Sequence, residues 1–172
     1  MVACGDGRIG RLTGRGLAAA CALGRGGVRS SKREGDGVTP AGLWPVRSLR
    51  YRPGRVGLPA GAMRASPIGP RDGWCDEPGH PAYNRPVRLP LAASAERLLR
   101  ADGLYDMVVE LGYNDAPPRP GAGSAIFLHV ARPGLRPTAG CIAVPRPVLR
   151  RILARMRPGD LILVQSGRPS AG

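Results

Sequence analysis

The sequence predicts a mainly β domain with one or two packed helices, and three observations carry the prediction. In "YDMVVELGY", Tyr105, Met107, Val109, Leu111 and Tyr113 share one face while Asp106 and Glu110 share the other, the alternation of a half-buried strand. "SAIFLHVA" is apolar on both faces, reads as a central strand and carries His129 near its end. One clear helical stripe follows in "PRPVLRRILARM", where Val148, Leu149, Ile152, Leu153 and Met156 line up and Pro147 sits in the first turn, where its missing N–H costs nothing.

The other elements follow in chain order. Residues 1 to 15 are rich in glycine and arginine without periodicity and read as an irregular leader or a fraying first strand; residues 16–166 form the domain and 167–172 a flexible tail. From residue 16 to residue 53 the pattern is a short strand, a turn-rich excursion through "GDG" and "TPAG", and a second strand. The excursion has glycines for positive φ and Pro40 with its fixed φ. Residues 53 to 72 are a loop broken by proline and glycine. "SAERLLRA" has Ser94 and Glu96 placed like the start of a short capped helix. "RPGD" ends the main helix and "LILVQ" supplies a last strand.

Composition bounds the function. The 172 residues are one domain's length, and 42% are hydrophobic, enough for a core despite 26 glycines and 19 prolines. The net charge is +14, and Lys32 is the only lysine among 26 basic residues. Such a charge suits nucleic acid, anionic membrane or a carboxylate-rich polymer. The arginines are scattered singly and the aromatics are few, which argues against nucleic acid as the main partner. No run approaches the ~20 apolar residues of a membrane span. "LAAACAL" is at the short limit for a signal core and is flanked by Arg15 and Arg25, so no export signal is legible.

Four cysteines, Cys4, Cys21, Cys75 and Cys141, lie far apart without a paired spacing, and two histidines are too few for a zinc set. Free thiols are the expected state, although Cys4, Cys21 and Cys75 could pair in an oxidising compartment. Cys141, in "RPTAGCIAVP", lies twelve positions after His129 across the loop "VARPGLRPTAG". A cysteine nucleophile needs a base, an orienting group and donors for the oxyanion. A loop folding back over the strand end would bring His129 to Cys141, with Gly140 allowing the tight turn and amides around Gly140 and Cys141 facing a carbonyl. On spacing alone a packed structural thiol is the commoner outcome. Cys75 and His80 form a competing pair, read as lying in a polar loop. Trp44 and Trp74 read as packing residues.

"IFLHV" followed by "TAGCIAV" resembles the His and [ST]-x-G-C signature of the L,D-transpeptidase catalytic domain family, also called YkuD-like. "CALGRGGV", "KREGDGVTPAG", "DGWCDEP", "YNRPVRLP" and "LGYND" extend the resemblance over about residues 21 to 165. It implies a mainly β fold of sandwich or barrel type with one or two packed helices, Cys141 as nucleophile, His129 as base and Gly140 in the active-site turn. The implied reaction is attack on a peptidoglycan stem peptide at the carbonyl of its third residue, releasing D-alanine. The thioester then passes to the side-chain amine of a second stem, or to water in a carboxypeptidase or endopeptidase. The resemblance also implies no metal or other cofactor, and a place in the bacterial envelope; a monomer is expected.

The pattern differs at Ala139 and Ala143, where many members carry His and then Arg or Asn. Other groups must then hold the substrate, and Thr138, Asn114, Tyr113 and Arg85 are the candidates. A hydrolase with the same Cys141 and His129, or a basic binding domain with an idle thiol, are the alternatives.

Overall fold

The structure, a computed structural model, describes residues 1–5 and 7–167. Its main sheet has nine strands: β1 (Val2–Gly5), β2 (Ile9–Gly14), β3 (Leu17–Ala22), β6 (Gly42–Tyr51), β7 (Ala65–Pro67), β11 (Met107–Leu111), β12 (Phe127–Val130), β13 (Ile142–Val144) and β14 (Leu161–Ser166). Their order is β11-β12-β13-β3-β2-β1-β14-β6-β7, and β11 also pairs with β6. With β7 set aside, the remaining strands therefore close into a ring, which removes the exposed edges of an open sheet. Two short parallel strands, β4 (Val28–Arg29) and β5 (Thr39–Pro40), brace the excursion between β3 and β6. A separate antiparallel sheet of β8 (Asp72–Cys75), β9 (Pro86–Arg88) and β10 (Ala95–Arg97) covers one flank.

Strand alternation divides the core in two. Leu128 and Val130 of β12, Ile142 and Val144 of β13, and Met107, Val109 and Leu111 of β11 point into the barrel. There they meet Leu149, Ile152 and Leu153 of α1 (Arg146–Leu153), the one α-helix among the described residues, so the helical stripe read from the sequence caps this core. The opposite faces carry Val108 of β11, Phe127 of β12 and Cys141 just before β13, which pack under Trp74 of β8 and Leu98 just after β10 and beside Tyr105. Trp74 and Tyr105 both stand edge-on to the Phe127 ring.

Three expectations are corrected. Residues 1 to 15 are not a leader: β1 lies between β2 and β14, and Ala3 and Leu12 are fully buried. Three buried side chains, Ala3, Cys4 and Leu12, are too few to mark a period in so glycine-rich a stretch, and pairing with β14 from the far end of the chain supplies the rest. "SAERLLRA" is not a helix: Ala95–Arg97 pairs with β8 while Leu98 sinks into the second core. A segment this short gains too little from helical hydrogen bonds to resist sheet pairing. β11 is buried on both faces rather than one, so Asp106 and Glu110 are inside and take ion pairs from Arg146 and Arg50.

The strands expected at "YDMVVELGY", "SAIFLHVA" and "LILVQ" and the main helix all form. "LAAACAL" folds as β3 and the residue after it, a barrel strand. No helix of the described residues is long and apolar enough to cross a membrane. The tail expected from 167 lies, from residue 168 on, outside the described residues; Gly167 accepts a bond from Cys4.

Candidate active site

β12 and β13 run parallel with Leu128 opposite Ile142 and His129 opposite Ala143. Cys141, one residue before β13, therefore stands opposite Phe127. With side chains alternating, His129 and Cys141 point to the same outer face, one step diagonally apart on adjoining strands. Both line one cavity of about 490 Å³ between the barrel and its covering elements.

Each functional group is held by the backbone around it. Cys141 Sγ lies 3.4 Å from the Phe127 N–H and 3.2 Å from the Ala125 carbonyl. His129 Nδ1 is 2.8 Å from the Val130 carbonyl, which can only accept, so Nδ1 carries the proton and Nε2 is left as the basic nitrogen. Tyr105 stands edge-on to the imidazole at 5.1 Å between ring centroids. Thr138 Oγ1 donates to the Cys141 carbonyl at 2.7 Å and accepts from the Gly140 N–H at 3.1 Å, stapling the turn. The turn is strapped to the excursion after β3 by Arg25 N–H to Thr138 carbonyl and Thr138 N–H to Leu23 carbonyl, both 2.9 Å.

Gly140 is conformationally required. Its φ is +141°, and a Cβ there would stand 2.8 Å from the Val38 carbonyl oxygen. Its N–H is spent on Thr138, so its part is to shape the turn, and the amide of Cys141 itself is the nearer candidate for an oxyanion donor.

Burial keeps both groups neutral at rest. Desolvation, then the nearby Glu96 charge, pushes the Cys141 thiol up to about 12, against weaker lowering by the Phe127 N–H, Lys32 and Arg100. Desolvation likewise pulls His129 down to about 4. Both groups therefore rest uncharged, as thiol and imidazole.

The cavity walls are charged and come from three places. The excursion after β3 gives Arg25, Lys32 and Glu34; the loop before Cys141 gives Arg132, Arg136 and Thr138. The covering side gives Asp76, Glu96, Arg100 and Tyr105. Lys32, the only lysine, is almost wholly buried and bonds to Asp36 at 2.9 Å. Apart from Thr138, none of these wall residues was a candidate from the sequence. Several lie inside "KREGDG" and "DGWCDEP", but a charged loop residue has no period to tell which way it points.

Other sequence candidates lie elsewhere. Arg85 and Tyr113 line a second cavity of about 240 Å³ with Trp74, Asn84 and Glu110, apart from the one that holds the thiol. Tyr113 packs edge-on to Trp44 and donates to the Ala122 carbonyl. Asn114, at φ +48°, bonds to the carbonyls of Arg119 and Gly123 and to the Arg119 N–H, which makes it the brace of the 114–123 loop. None of the three lines the cavity that holds Cys141. Cys75 is fully buried in β8 rather than in a loop, and His80 Nδ1 accepts from the Ala82 N–H, so these two form no second pair. All four cysteines are free thiols.

A thiol and an imidazole on one face of adjoining strands, at the floor of a charged cavity, define the class as a β-barrel domain with a cysteine–histidine site. The chain belongs to the L,D-transpeptidase catalytic domain family: the YkuD model matches residues 5–164, from the end of β1 into β14. No curated protein and no solved structure matches the chain. Membership agrees with the mainly β barrel and its one packed helix, and it makes peptidoglycan the substrate the family implies.

Proposed function

We propose that this chain is a cysteine acyl-transfer enzyme acting on peptidoglycan stem peptides, an L,D-transpeptidase that works through a thioester on Cys141. The observation that carries the reading is the shared outward face of His129 and Cys141 in one cavity, with Nδ1 committed to a carbonyl and Nε2 free. Substrate binding displaces water, Nε2 takes the thiol proton, and Sγ attacks the carbonyl carbon of the third stem residue. The imidazolium then protonates the departing D-alanine amine, leaving the acyl group on sulfur. A positioned histidine contributes ~10²- to 10⁴-fold in such a step. Thr138 holds the turn, while Arg25, Arg132 and Arg136 suit the stem's carboxylates.

In the second half, an amine of another stem attacks the thioester; water in its place gives a carboxypeptidase with the same residues. Incubation with a disaccharide tetrapeptide, with and without an acceptor stem, followed by mass measurement of protein and products, separates the two. The reading requires an acyl adduct on wild type that is absent from Cys141→Ala; an adduct that persists in that variant refutes it. Because peptidoglycan lies outside the cytoplasmic membrane, we place the working protein in the envelope. Recovery of the tagged native protein solely from cytoplasm would overturn that placement.

A further inference from the structure

We propose that Asp76 and Glu96 form a subsite for a protonated amine, and that the ammonium group it receives is that of the incoming acyl acceptor; this rests on the acyl-transfer reading above. In the covering sheet Glu96 stands opposite Trp74, and the Asp76 N–H bonds to the Ser94 carbonyl, so Trp74, Asp76 and Glu96 share a face. That face is turned toward Phe127 and Cys141, and both carboxylates line the cavity that holds the thiol.

On this wall the acceptors outnumber the donors that reach them. Asp76 Oδ1 is shut away from solvent and has no hydrogen-bond partner among the described residues. Glu96 takes the Tyr105 hydroxyl at 2.7 Å and Arg100 at 3.4 Å, both on Oε1. Arg100 is held more closely by Asp102, at 2.6 and 3.0 Å, so it leaves Glu96 incompletely paired. Ser124, 7% exposed and lining the same cavity, keeps its Oγ beside the Tyr83 hydroxyl but within bonding geometry of nothing.

Buried acceptors left over in this way call for a donor-rich cation, and an ammonium group brings three N–H donors and a compensating charge. The other walls carry four cations, Arg25, Lys32, Arg132 and Arg136, against one carboxylate, Glu34. The cavity thus sorts a molecule bearing both an amine and carboxylates, which water does not need. In the transfer, the ammonium gives one proton to a carboxylate of this wall and so to solvent. The amine nitrogen then bonds to the thioester carbonyl carbon as the C–S bond breaks, and a second proton passes through His129 to the departing sulfur.

The test has two arms. In Cys141→Ala protein, where no chemistry occurs, binding of Nα-acetyl-lysine amide and of its uncharged isostere Nα-acetyl-norleucine amide is measured by calorimetry. The lysine probe should bind about tenfold more tightly, and adding Asp76→Asn, alone or with Glu96→Gln, should erase the preference. Equal binding of the two probes, or a preference that survives both substitutions, overturns the subsite. Asp76→Asn is isosteric and breaks no bond seen here, so it stays informative if Glu96→Gln disturbs Tyr105. In protein with Cys141 intact, the acyl-enzyme is offered the stem amine together with hydroxylamine, which is uncharged at neutral pH. Asp76→Asn/Glu96→Gln should shift the product ratio toward hydroxylamine by about tenfold; an unchanged ratio overturns the proposal. A wild-type protein that forms no acyl-enzyme refutes the acyl-transfer reading, while the binding arm still decides the subsite.

Discussion

The resting protonation state of Cys141 can be measured directly. Burial raises this thiol from an ordinary 9.0 to about 12, a change of about three units. At pH 8 that leaves ~10³-fold less thiolate than an exposed cysteine would have. A thiolate of higher pKa is intrinsically more nucleophilic, which returns about 10- to 30-fold. The net expectation is alkylation by iodoacetamide roughly 30- to 100-fold slower than for an exposed thiol. Restricted access slows the reaction further but does not alter its pH dependence, so the decisive reading is the pH profile of adduct on the Cys141 peptide. The rate should climb about tenfold per pH unit from 7 to 10 with no plateau. A plateau with its midpoint at or below about pH 8 would refute the reasoning, because it would mean a thiolate–imidazolium pair already formed in the free protein. His129→Gln should leave that profile nearly unchanged yet slow acylation by a stem peptide by ~10²- to 10⁴-fold, since the base is needed only when substrate arrives.

Other expected outcomes follow from the same geometry. Gly140→Ala forces a side chain onto a +141° backbone and against the Val38 carbonyl; it should cost ~1–3 kcal/mol in urea unfolding and slow acylation. Thr138→Val removes the bonds to the Cys141 carbonyl and Gly140 N–H, costing ~1–3 kcal/mol, whereas Thr138→Ser should recover most of the activity. Leu149→Ala opens a cavity where α1 meets the barrel and should lower stability by ~2–5 kcal/mol in the same measurement. His129 titrates near 6.5 when unfolded and near 4 when folded, so the unfolded chain takes up the proton first. Its contribution is complete above pH 6.5 and is lost as pH falls toward 4, amounting to about 2 kcal/mol between pH 7 and pH 5. Unfolding curves at those two pH values should show that loss in wild type, and a smaller one in His129→Gln.

Strong local patterns were legible before folding was considered. Alternation marked β11, a doubly apolar run marked β12, and a helical stripe marked α1, because each pattern records burial by its own neighbours. The short pieces were not legible. β1 has too few residues to show a period and is held by β14, some 160 residues away in the chain. β10 carries a helix-like signal that loses to pairing with β8. Arg85, Tyr113 and Asn114 had the right chemistry for a substrate site, but chemistry alone could not reveal that Arg85 and Tyr113 line a different cavity and that Asn114 is spent bracing a loop.

The sequence by itself singled out the candidate pair His129 and Cys141, the glycine turn between its members and the kind of strand that carries the histidine. All of these lie within thirteen consecutive residues, where chain connectivity keeps them near one another. Only the tertiary structure decided that the pair faces outward under a covering sheet and rests uncharged. It also decided that Asp76, Glu96, Lys32 and Arg25 share the same cavity. The physical reason is that burial and charge environment depend on which distant segments close over a residue, and the barrel's ring closure, not the local pattern, selects those segments.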